Sequence, residues 1–146
     1  MKLKKGHYKI ACKVSLILNL FTIVSGIIYY ILNTMRFMWL WNFQGIFIFI
    51  SWILNLIIIH WNDKIIQKTN SIGKRINRLC YYELVFIIVS MGNNIFYILT
   101  LGYLPSPSLL FFILVLVSLI GMGAFGTFLA FFSLKHLNER GVIKFV

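Results

Sequence analysis

The sequence predicts an all-α integral membrane protein, a four-helix bundle running up-down-up-down with its N- and C-termini cytoplasmic. Three observations carry that expectation. Hydrophobic residues make up 60% of the 146-residue chain and charged residues only 12%, too little polar surface for a soluble domain of this length. The uncharged stretches are long enough to cross a bilayer four times. The basic residues gather at the ends of those stretches rather than along them, as the positive-inside pattern requires.

The first uncharged stretch is residues 14–35, 22 positions, where a spanning helix needs about 20. Span one is placed at about 14–32. It follows Lys2, Lys4, Lys5, Lys9 and Lys13 but is longer than the apolar core of a signal peptide and lacks a small-residue cleavage site. A short aromatic connection from Met35 to Phe43 follows, with Arg36 its one charge. Its Trp39 and Trp41 suit the outer headgroup layer. Residues 37–62 are again uncharged, 26 positions, and span two is placed at about 44–60.

Between Glu83 and Lys135 lie 51 uncharged residues, more than one helix needs to cross a core of about 30 Å and enough for two. The break falls at Gly102–Ser108, where Pro105 and Pro107 resist helix and Ser106 or Ser108 can cap the next one. Spans three and four are placed at about 83–101 and 109–134. The whole chain is one transmembrane domain. The segments before span one, between spans two and three, and after span four hold 13 of the 14 Lys and Arg residues. That asymmetry puts those segments, and both termini, in the cytoplasm.

The segment 61–82 is the basic hub joining the two hairpins. Ile65, Ile72, Ile76 and Leu79 recur at helical spacing, while Lys68, Lys74, Arg75 and Arg78 lie off that face. The expectation is a basic amphipathic helix on the inner leaflet, with Lys64, Lys68, Lys74, Arg75 and Arg78 meeting anionic lipid headgroups. The alternative is that spans two and three extend into the cytoplasm around a turn at Asn70–Gly73.

The two halves echo each other. Span two ends His60-x-Asn62-Asp63-Lys64 and span four ends His136-x-Asn138-Glu139-Arg140. Cys12 precedes span one and Cys80 precedes span three, 68 positions later. A duplicated hairpin would produce these pairs, and so would the narrow residue choice of apolar helices. A structural disulfide between the two cysteines is not expected in a reducing compartment.

Polar residues inside the spans need partners, because hydrocarbon offers none. Asn19, Asn55, Asn93, Asn94 and Ser118 are therefore expected to face the bundle interior, as interhelical glue or as a polar path for a small solute. Glu83 is read at the inner edge of span three, so no ionisable group is expected deep in any span. That counts against ion-coupled transport, which usually uses one. Gly123, Gly126, Ala130 and Ser133 form a small-residue face on span four for close helix packing. Packing within the monomer is the first use of such a face, and a homo-oligomer or a membrane partner subunit the second.

No phosphate loop, metalloprotease helix, nucleophile elbow or carboxylate dyad is present, and an enzyme is not expected. No cofactor or metal is expected, although His60 and His136 end spans on the same side and would be the pair for a haem or metal. Nucleic acid is not expected, since the basic residues belong to span ends and not to a folded basic module. The functional expectation is a multi-pass protein of the cell membrane acting through lipid or partner contact. The alternatives are a small transporter or channel subunit with an asparagine-lined path, and the haem or metal protein.

Overall fold

The computed structural model describes residues 3–32, 38–100 and 109–145. Four α-helices account for most of them: α1 Lys5–Leu32, α2 Met38–Ile65, α3 Ser71–Thr100 and α4 Leu109–Lys135. Each is long and apolar enough to cross a membrane. In hydrocarbon a helix is one of only two ways to satisfy every backbone N–H and C=O, which is why long uncharged stretches become helices whatever their β-branched content. The helices form a ring in which α1 packs on α2, α2 on α3 and α3 on α4, and α4 closes on α1.

The helices are longer than the uncharged stretches. α1 begins at Lys5, α2 runs on through Asp63 and Lys64, and α3 starts at Ser71, twelve residues before Glu83. α2 also begins earlier than span two, so Met38–Phe43 of the expected aromatic connection is helical. Arg36 and the Gly102–Ser108 break lie outside the described residues.

The hub differs from the expected surface helix. α2 ends at Ile65, the chain turns, and α3 starts at Ser71. The Asn70 carbonyl accepts the Lys74 N–H at 2.9 Å, which makes Asn70 the residue that opens α3. Gly73 allows the turn to close, since a Cβ there would lie 2.1 Å from the Gln67 carbonyl oxygen. Ile65 and Ile76 are buried, and Ile72 and Leu79 pack against the same core. The apolar stripe thus faces into the bundle, because the two helices already beside it bury more apolar surface than a lipid headgroup layer would.

The segment after α4 folds back over this turn. The Gln67 N–H donates to the Val142 carbonyl at 2.9 Å and the Lys144 N–H to the Ile65 carbonyl at 2.8 Å, a single antiparallel bridge between Ile66 and Ile143. Gly141, at φ +86°, supplies the left-handed residue that lets the chain reverse. Phe145 meets the Tyr8 ring edge-on at 5.7 Å, and Lys5 donates to Asn138 at 2.5 Å. The start of α1, the α2–α3 turn and the segment after α4 therefore meet at one end of the bundle.

Candidate functional site: a buried polar layer

On every helix a seam of buried positions steps alternately by three and four, with Ala11, Trp52, Ser118, Gly123 and Ala130 buried beside it. The seam positions are Tyr8, Cys12, Ser15, Asn19, Thr22 and Gly26 on α1, and Ile48, Ser51, Asn55, Ile58, Asn62 and Ile65 on α2. On α3 they are Gly73, Ile76, Cys80, Glu83, Ile87 and Ser90, and on α4 Leu119, Met122, Gly126, Leu129 and Ser133. A repeat averaging 3.5 residues keeps one seam facing the partner helices. Here much of the seam is polar or small, while large apolar residues such as Ile17, Phe49, Ile88 and Leu110 point outward. This inverts a soluble bundle, because lipid solvates leucine and isoleucine and rejects amides.

The seam is layered. One apolar cluster, with Ile58, Ile65, Ile76, Leu129 and Val142, lies toward the basic end. A second contains Ile48, Trp52, Ile87, Leu119 and Met122. Between these positions along the helices come Ser15, Asn19, Ser51, Asn55 and Glu83, all buried.

Asn19 and Asn55 form a reciprocal amide pair. Asn55 Nδ2 donates to Asn19 Oδ1 at 2.9 Å and Asn19 Nδ2 to Asn55 Oδ1 at 3.2 Å. The Ser15 hydroxyl donates to Asn55 Oδ1 at 2.7 Å and accepts from Asn19 Nδ2 at 3.0 Å. The Ser51 hydroxyl donates to Asn19 Oδ1 at 2.9 Å. Asn19 thereby uses all four of its hydrogen-bonding positions, and Asn55 three of its four.

The remaining bond of Asn55 goes to Glu83. Asn55 Nδ2 donates to Glu83 Oε1 at 2.6 Å. Glu83 is fully buried, 0% exposed, and its second oxygen, Oε2, has no hydrogen-bond partner. Among the described residues the ion pair is Asp63–Lys68, and His136 Nδ1 stands 2.8 Å from Glu139 Oε1; neither contact involves Glu83. At a rise of ~1.5 Å per residue, Glu83 lies about 18 Å along α3 from its first residue and five residues beyond the exposed Arg78. Read from the charges as the start of span three, it stands on a helix that begins twelve residues earlier, and it is buried between the helices.

The layer depends on α4 having no side chain at two positions. A Cβ on Gly126 would lie 2.5 Å from Asn19 Nδ2, and one on Gly123 would lie 2.5 Å from the Ile23 side chain and 3.0 Å from the Asn19 carbonyl. Ala130 and Ser133 are buried on the same helix. The small-residue face is thus occupied by α1 within the monomer.

The other expected polar residues divide. Asn93 Nδ2 donates to Ser118 Oγ at 3.3 Å, linking α3 to α4 apart from the main layer. Asn94 donates to the Ser90 carbonyl of its own helix at 2.8 Å. The five residues expected to line one path therefore form separate groups.

A second polar chain lies nearer the basic end. The Tyr8 hydroxyl donates to Asn62 Oδ1 at 2.5 Å, and Asn62 Nδ2 to Cys80 Sγ at 3.5 Å. Cys12 and Cys80 are both buried free thiols. His60 is exposed, whereas His136 is buried, stacks on Phe132 with ring centroids 6.0 Å apart and places Nδ1 2.8 Å from Glu139 Oε1. The two histidines have different surroundings. Among the described residues no three His, Cys, Asp or Glu side chains gather as metal ligands would.

Every described Lys and Arg is exposed, including Lys64, Lys68, Lys74, Arg75 and Arg78 of the hub. They lie on the segments that meet at one end of the bundle. The exposed acids there are Asp63, paired with Lys68 at 2.6 Å, and Glu139, set against His136.

The fold and site define a class: all-helical proteins with four helices able to span a membrane and a polar layer inside them. No family model matches the chain, and no curated protein or solved structure is significantly similar to it.

Proposed function

We propose that this is a non-enzymatic, multi-pass protein of the cell membrane that acts by contact, with the basic end seated on anionic headgroups of the inner leaflet. The observation that carries this reading is the pairing of an apolar exterior with exposed cations that, among the described residues, lie at one end. Alternating helix direction and cytoplasmic termini are supported by the loop charges and by the contacts among Tyr8, Asn62, Cys80 and Phe145. Each basic group near an anionic surface contributes about 1 kcal/mol, so Lys74, Arg75 and Arg78 together outweigh a single hydrogen bond. Trp61, half-buried at that end, becomes its reporter once Trp39, Trp41 and Trp52 are changed to Phe. In liposomes, brominated anionic lipid is expected to quench the basic-end fluorescence more than brominated zwitterionic lipid. A triple change of Lys74, Arg75 and Arg78 to Glu should remove the difference. Equal quenching by both lipids without the triple change sinks the lipid reading. A membrane partner subunit is the other form of contact, and co-purification in mild detergent tests it.

The Ser15–Asn19–Asn55–Glu83 layer favours a second reading, a small transporter or channel subunit. Ionisable groups inside membrane helices commonly mark ion or proton pathways. This reading expects liposomes carrying the protein to pass a small cation and Asn55→Leu to lose that flux.

A further inference from the structure

We propose that Glu83 is an exchangeable cation site inside the helix bundle, holding a proton or an alkali metal ion on its Oε2 side. The inference deepens the transport reading by naming the class of ligand, yet the site can exist without flux.

The argument begins with the balance of donors and acceptors. A carboxyl serving only as glue would have both oxygens satisfied, as the amides beside it have all their positions satisfied. Asn19 and Asn55 are complete, and Ser15 both donates and accepts. The layer runs out at one atom, Glu83 Oε2, buried and without a partner. The unpaired oxygen therefore belongs to the group best able to hold positive charge.

Charge gives the second step. An ionised carboxylate in a low-dielectric interior is very unfavourable unless a cation compensates it. The groups facing Glu83 supply none. Asn55 donates from α2, and the Gly126 backbone N–H is a second neutral donor directed at the carboxyl from α4, without completing a hydrogen bond on Oε2. From α1, Ser15 reaches the same Asn55 oxygen that Asn19 uses. On α3 itself the titratable neighbour is Cys80, one turn back, a buried thiol. No Lys, Arg or His stands among them, so the positive charge must come from outside the chain. A carboxylate with amide and hydroxyl oxygens close by offers hard oxygen donors, which suit a proton or an alkali ion and not a soft metal.

Two buried hydroxyls give an independent indication. Ser90 on α3 and Thr127 on α4 have no hydrogen-bond partner. Ser90 is seven residues beyond Glu83, about 10 Å along the helix, and Thr127 follows Gly126, whose backbone faces the carboxyl. Unsatisfied buried hydroxyls are where internal water resides. Water at Ser90 is too far from Oε2 to ligate an ion and would instead mark the route by which the proton or ion exchanges.

The chain contains only two glutamates, Glu83 and Glu139. In a Glu139→Gln background, carbon-13 glutamate labels Glu83 alone and leaves the polar layer intact. Infrared spectra of that protein in liposomes are then recorded as pH and sodium are varied. A labelled acid carbonyl band that disappears reversibly as pH rises identifies the proton as the ligand. Loss of the same band on adding sodium at fixed pH identifies the alkali ion. A band that ignores both identifies a permanent, structural acid and overturns the proposal. So does a labelled carboxylate band that is present throughout and unchanged by either. Cation flux measured on the same liposomes separates the readings: exchange at Glu83 without flux removes transport and leaves the site.

Discussion

Asn55 is the side chain that ties three helices together in the polar layer. It joins Ser15 and Asn19 on α1 to Glu83 on α3. Membrane hydrogen bonds average only about 0.6 kcal/mol, and Asn93, bonded to Ser118 across one helix pair, should follow that figure. Removing Asn55 strands several groups at once, each at about 1–3 kcal/mol. Asn55→Leu is therefore expected to destabilise the bundle by roughly 3 kcal/mol, and Asn93→Leu by under about 1 kcal/mol. Unfolding in mixed micelles compares them, and similar losses would mean that the layer has no special weight.

Gly126 makes a complementary case at the same scale. A methyl group there enters the Asn19 side chain, and overpacking of this kind costs about 1–3 kcal/mol. Gly92, on α3 with nothing within 4 Å of its would-be Cβ, is the control. There alanine should be neutral or stabilising by up to about 1 kcal/mol through helix propensity. The thiols give a third test. Cys12 and Cys80 are buried, so a polar maleimide should leave the folded protein unlabelled and react once detergent unfolds it.

At the scale of elements, the α2–α3 turn and the segment after α4 form one unit. Gly73 sits against the Gln67 carbonyl, and Gln67 in turn donates to Val142. Gly73→Ala is expected to open the turn and release the bridge, exposing Ile66 and Ile143. Deleting residues 141–146 should act in the same place, removing two backbone bonds and the burial of Val142 and Ile143, roughly 3 kcal/mol at ordinary side-chain burial values. Hydrogen exchange at Gln67 reads both changes. Protection at Gln67 that survives the deletion would show that the bridge is not what shields it.

At the scale of the whole molecule, lipid and interior exchange roles. The outside is apolar, as lipid surroundings would allow, and the inside carries amides, hydroxyls and one carboxyl that only the other helices could then satisfy. Ser15 and Glu83 make the point across the two halves. Each lies three residues after a cysteine, and each bonds Asn55. The seam positions 12, 15, 19, 22 and 26 of α1 and 73, 76, 80, 83, 87 and 90 of α3 were legible as a repeat of three and four. A reading centred on uncharged stretches passes over it, because Glu83 ends such a stretch and so looks like a boundary.

The sequence by itself determined that there are four apolar helices, because charge is excluded from hydrocarbon and the gaps between charges measure the helices. It also determined that Asn19 and Asn55 need partners. Tertiary structure alone decided which partners they have. It turned the hub's isoleucines inward, since the neighbouring helix ends and the segment after α4 cover them better than headgroups do. It separated Asn93 and Asn94 from the main layer. It also placed Glu83 within the bundle, because a helix continues as long as its backbone can hydrogen-bond and its cations can reach water. Where α3 starts is set by the turn at Asn70 and Gly73, far from the carboxyl whose surroundings it fixes.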